Sequence, residues 1–169
     1  MKLIQRNRDA AYLQYDKYVD FDNPMVMEKA MDLTKNCRSV YEKIETIYYF
    51  VRDEIDHTWD AKDSTITISA SDVLEKKTGI SYSKANLLAA LMRANGIYTG
   101  FCYQRIKRFT YDNKLALHAL NAVFEPDVKK WIRLDARGNN YQFKLISRST
   151  NEILDMRSDR SLVNLNSTI

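Results

Sequence analysis

A chain of 169 residues is long enough for one domain with a sizeable buried core, and 45% apolar with 28% charged residues is the composition of a globular protein. Two cysteines and two histidines exclude a disulfide framework, a four-cysteine zinc site and a three-histidine metal centre. The net charge of +4 is mixed along the chain, and its densest basic stretch, Arg105-Ile106-Lys107-Arg108, reads as a solvated strand face rather than a nucleic-acid platform.

The first 22 residues are tyrosine-rich and alternate weakly (Tyr12, Tyr15, Tyr18, Val19), which suggests an N-terminal strand followed by a turn. Asn23-Pro24 marks a helix start, with Asn23 as N-cap and Pro24 at the first helical position. Val26, Met27, Ala30, Met31 and Thr34 give that helix one apolar stripe. Ser39 with Glu42 forms a capping box for a second helix, in which Val40, Ile44, Ile47, Tyr48, Val51 and Ile55 keep the helical period. A polar segment follows, with Thr65, Ile66, Thr67 and Ile68 read as extended. Ser69 and Asp72 open a short helix through Lys77, with Gly79 as its left-handed stop. The next helix begins at Ser81 to Ser83, carries Leu87, Leu88, Leu91 and Met92, and closes at Asn95-Gly96.

From Ile97 the character turns extended. Ile97 to Phe109, Leu115 to Phe124 and Trp131 to Ala136 read as three strands, with turns at Asp112-Asn113, Pro126-Asp127 and Gly138-Asn139. Helices first and an antiparallel meander after them define an α+β domain. The polar tail over residues 148–169 allows at most one short docking element. No leader core follows Met1, and the longest apolar run, Leu87 to Met92, is far too short to span a bilayer. The expectation is a cytoplasmic protein with no membrane or nucleic-acid partner.

Three segments carry chemistry. Ser81 lies just after a glycine turn, at the N-terminus of an apolar helix, where the helix dipole and free N–H groups stabilise negative charge. His118 stands mid-strand in Leu117-His118-Ala119. Asp135 stands near the end of the following strand, where its carboxylate can accept the imidazole N–H and fix its tautomer. Nucleophile, base and orienting acid thus arise in that chain order.

These segments resemble the transglutaminase-like superfamily, whose architecture is related to papain-type cysteine peptidases. Ala70-Ser71-Asp72-Val73-Leu74 resembles the lead-in to the family's nucleophile. Gly79-Ile80-Ser81 stands where the family has Gly-x-Cys, and Ala85, Leu87, Leu88, Leu91, Arg93, Ala94, Gly96 and Ile97 resemble its nucleophile helix. The His118 strand and Trp131 through Asp135 resemble the family's His and Asp segments, and Gly100 to Arg105 resembles a strand of its bacterial members. The resemblance implies a single papain-like/transglutaminase-like domain over residues 1–169, with a motif core at about 40–140. It also implies a Cys-His-Asp triad acting on peptide or glutamine amides, as a cysteine peptidase, amidase or acyl transferase, on a peptide or protein substrate. No cofactor or metal is implied.

The departure is Ser81 where the family has cysteine. A thiol beside a protonated imidazole exists as thiolate near neutrality, whereas a serine hydroxyl does not. Three readings stand open: an engineered or recent cysteine-to-serine change, a natural serine variant of weak activity, or a silent module that binds a peptide or protein in the same groove. The remaining candidates have plainer alternatives. Ser81 alone is an N-cap candidate, and Cys102 and Cys37 read as small buried hydrophobes. His57 reads as a positive charge at a helix C-terminus. Tyr82, Tyr103 and Gln104 are candidates for oxyanion or substrate contact. Trp59 and Trp131 read first as core aromatics and second as walls of a substrate groove.

Overall fold

The computed structural model describes residues 9–107 and 115–138. The turn at Asp112-Asn113 and the tail over 148–169 lie outside the described residues.

The described part of the N-terminal segment is a 3-10 helix, Asp9–Leu13, where the sequence suggests a strand. Its aromatic residues pack singly instead of alternating across a sheet. The Tyr12 ring sits 4.8 Å from that of Trp131 and lies against Gly100, where a β-carbon would come within 3.2 Å of it. Asp16 then closes a turn by accepting the Tyr18 and Val19 amides at 2.7 and 2.9 Å.

Helix α1 runs Pro24–Thr34 with Asn23 accepting the Met25 amide, and buries Val26, Ala30 and Thr34. Met31, expected on that stripe, is 49% exposed. Helix α2 runs Val40–Asp53; Ser39 accepts the Glu42 amide at 3.1 Å, while the Glu42 carboxylate takes the Arg38 amide at 2.6 Å, one residue earlier than a reciprocal capping box requires. Ile44, Ile47, Tyr48 and Val51 face the core. Helix α3, Ala70–Lys76, is capped by Ser69 and ends at Lys77, which itself takes the left-handed conformation at φ 55°.

Gly79 is therefore not the stop. It belongs to β2, Thr78–Gly79, which pairs in parallel with β1, Asp56–His57, so that His57 stands opposite Gly79. A side chain at 79 would put Cβ 2.7 Å from Ser83 Oγ and 3.2 Å from Thr67 Oγ1, which is the reason for glycine there. The Thr65–Ile68 stretch joins no sheet, although Thr67 is buried and its hydroxyl lies 3.1 Å from the Thr78 carbonyl.

Helix α4, Ser81–Ala94, is the axis of the core: Leu87 through Met92 have no exposed surface, and α1, α2, α3, β3 and β4 all pack on it. Each of its fully buried leucines contributes about 1.5–3 kcal/mol relative to an exposed one. Gly96, at φ 72°, ends it as the sequence predicts. Strands β3 (Thr99–Lys107), β4 (Leu115–Glu125) and β5 (Lys130–Leu134) form an antiparallel sheet in the order β3-β4-β5. The β4–β5 turn is held by the Glu125 carboxylate, which accepts the Asp127 and Val128 amides. Strand β5 stops one residue before Asp135, so the carboxylate stands in the turn beyond the sheet edge.

Candidate active site

The β2–α4 junction places Ser81 at the first helical position. The N-cap is Ile80, extended and without a side-chain capping bond, so the plain reading of Ser81 as a cap does not hold. Ser83 makes a local bond instead, donating to the Ile80 carbonyl at 3.2 Å. Among the described residues no side chain caps the opening turn of α4, and Ser81 is half-buried there.

The sequence-predicted base and acid meet. His118 Nε2 and Asp135 Oδ2 are 2.6 Å apart, with both side chains buried. Asp135 is fixed from three sides: Oδ1 accepts the Arg137 amide at 3.0 Å, Oδ2 faces His118, and its carbonyl accepts the Tyr48 hydroxyl at 3.3 Å. With Nε2 engaged by the carboxylate, His118 has Nδ1 left for proton exchange, and among the described residues that nitrogen has no hydrogen bond. Helix and strand are joined directly: Asn121 on β4 donates to the Ala85 carbonyl on the second turn of α4 at 3.1 Å. No hydrogen bond links Ser81 Oγ to His118 among the described residues.

Gln104 stands opposite His118 in the β3–β4 register, so the two side chains share a sheet face; Gln104 is half-buried. Tyr103 stands opposite Ala119 on the other face and is 58% exposed. Tyr82 is exposed next to Ser81. Trp59 is 65% exposed, against the expectation of core packing, whereas Trp131 is half-buried between Tyr12 and Phe124. Cys102 is half-buried opposite Leu120, and burial pushes its thiol up. Cys37 is half-buried with Sγ 3.6 Å from the Thr46 hydroxyl.

Two basic side chains, His57 and Lys84, complete the surroundings. His57 is not a charged helix end: it lies on β1, where burial first, and then the Arg137 charge, push its pKa down to about 4 despite Asp60 Oδ2 at 3.8 Å. Its Nδ1 is buried without a hydrogen bond in the described structure. Asp60 pairs with Arg137 at 3.3 Å, tying the β1 loop to the Asp135 turn. Lys84 is 1% exposed, and its Nζ donates to the Ile55 and Arg52 carbonyls at 2.6 and 3.3 Å. Sequence reasoning missed Lys84, although a lysine on the second turn of an otherwise apolar helix was a usable signal.

This set of elements, with an apolar helix opening after a Gly-x turn and a buried His–Asp pair on the sheet beside it, is that of the papain-like α+β fold. The chain matches the transglutaminase-like superfamily over residues 28–136, and it belongs to that superfamily. It is similar to a candidate cysteine protease from Cytophaga hutchinsonii, at 22% identity and a TM-score of 0.60 over 75% of this chain and 41% of that one. It is also similar to the periplasmic domain of TgpA from Pseudomonas aeruginosa bound to ethylmercury, at 17% identity and a TM-score of 0.57 over 76% of this chain and 48% of that one. The chain thus spans less than half the length of either structure. The search of curated proteins finds no match.

Proposed function

We propose that this chain carries a transglutaminase-like site for amide carbonyls of peptide or protein substrates, with residue 81 as nucleophile, His118 as base and Asp135 as the acid that orients it. The observation that supports the reading is the buried 2.6 Å contact of His118 Nε2 with Asp135, which leaves Nδ1 as the exchanging nitrogen. In the cysteine form, His118 takes the thiol proton, the thiolate attacks the carbonyl, and the imidazolium protonates the leaving amine. Water or an amine then resolves the acyl-enzyme. The amides at the start of α4 are the natural oxyanion donors, and Gln104, on the face of His118, is the side-chain candidate. With Ser81 the site is weakly active or silent relative to a cysteine at the same place.

The test is S81C. At pH 6 its residue 81 should alkylate with iodoacetamide faster than Cys37 or Cys102, and H118A should remove the difference. Equal reaction of all three thiols would refute the triad and leave the same groove as a binding surface for a peptide.

A further inference from the structure

In a chain with 28% charged residues, residues 64–71 and 78–83 carry no charged side chain. The two stretches meet beside residue 81. Thr67 Oγ1 lies 3.1 Å from the Thr78 carbonyl and 3.2 Å from Ser83 Oγ, and a Gly79 β-carbon would come within 3.2 Å of it. Thr67 thus touches the chain on both sides of Ser81. One residue on, the Ile68 carbonyl accepts the Asn86 side-chain amide of α4 at 2.8 Å. At the other end Asp63 accepts the Thr65 amide at 2.9 Å. Pinned at these three points, the stretch alternates along its length: Thr67 is buried, while Ile66 and Ile68 are 75% and 44% exposed. Tyr82, one helical turn before Asn86 and so on the same face of α4, is also exposed. Ile68 and Tyr82 therefore flank Asn86 beside residue 81, and Ile66 extends that rim. Lys84, the charged residue next to the turn, is buried with Nζ on the Ile55 and Arg52 carbonyls, so it puts no charge there.

We propose that Ile66, Ile68 and Tyr82 form the subsite that selects the substrate: they take an uncharged, apolar side chain on the acyl side of the amide that residue 81 attacks. The proposal rests on the reading of residue 81 as nucleophile and adds to it the class of peptide. An apolar side chain laid on this rim removes apolar surface from water on both partners. The rim is already held by the Asp63, Ser83 and Asn86 contacts, so covering it needs no ordering of its backbone. A carboxylate or ammonium in the same place would lose water and meet no opposite charge from residues 64–71 or 78–83. Discrimination therefore comes from both sides, by burial of the right side chain and by desolvation of the wrong one.

The test uses full-length S81C and two chloromethyl ketones, N-acetyl-leucyl and N-acetyl-glycyl, which alkylate a thiol with loss of chloride and differ only in the side chain beside the ketone. Each rate at residue 81 is divided by the rate of the same reagent with N-acetylcysteine. The leucyl reagent should then label residue 81 about 10-fold faster than the glycyl one, the discrimination an apolar pocket gives an aliphatic group. Adding I68D and Y82S to S81C should abolish that preference. Equal corrected rates in S81C itself overturn the proposal with no further variant needed. If sedimentation then shows a dimer that I68D and Y82S dissolve, the rim belongs to a second copy of the chain. A triple variant that folds, by circular dichroism, and keeps the leucyl preference also overturns the proposal. Iodoacetamide, which has no side chain to place, separates the two readings. If residue 81 outpaces Cys37 and Cys102 with iodoacetamide yet shows no leucyl preference, the site stands and the subsite falls. If all three thiols react alike, both fall.

Discussion

At the scale of single residues, the site is built on protonation states set by burial. His57 has a folded pKa of about 4 against an ordinary 6.5, so the folded protein binds fewer protons than the unfolded chain between those values. Its contribution to stability is complete above pH 6.5 and is lost as the pH falls toward 4. At 1.36 kcal/mol per unit this amounts to about 3 kcal/mol. H57Q should therefore lose less stability than the parent between pH 7 and pH 4, as read from urea unfolding at the two values. Asp135 acts in the other direction, on reactivity. In the S81C background, D135N should slow alkylation of residue 81 by about 10-fold or more, because the amide no longer holds the tautomer that leaves Nδ1 free. The pairing of His118 with Asp135 was legible in the sequence because each sits in a short pattern on consecutive strands. Lys84 and His57 were not, since their character comes from burial against elements distant in the chain.

At the scale of elements, caps and periodicity located what the sequence could locate. Asn23 and Ser39 cap α1 and α2, and Gly96 stops α4, each through local chemistry. The failures are equally local. A two-residue strand has no period to read, so the β1–β2 ladder was invisible, and with it the reason for Gly79. The stop of α3 fell instead to Lys77, a residue type that gives no warning of a positive φ. The tyrosines of the N-terminal segment looked like strand residues because aromatic content is shared by strands and by isolated docking contacts. Two substitutions test this level. G79A should cost about 1–3 kcal/mol and slow S81C alkylation, since its β-carbon must displace Ser83 or Thr67 beside the nucleophile turn. L88A, in the fully buried middle of α4, should cost about 2–5 kcal/mol by thermal or denaturant unfolding.

At the scale of the whole molecule, one helix serves both as the centre of the core and as the carrier of residue 81, while the sheet carries His118 and the turn beyond it Asp135. The α+β class and the strand order follow from the succession of patterns along the chain. The docking of α4 on β4 does not, because it depends on which buried polar groups meet across the interface. Asn121 is such a group, joining the second turn of α4 to the strand of His118. One amide therefore couples the two halves of the site mechanically. Separating the Ser81 turn from the His118 strand would leave the buried Asn121 amide only its longer 3.4 Å bond to the Gly100 carbonyl, so the two should open as a single cooperative unit. In native-state hydrogen exchange, the amides of Ala85 and His118 should then share one opening free energy, and N121A should lower both together.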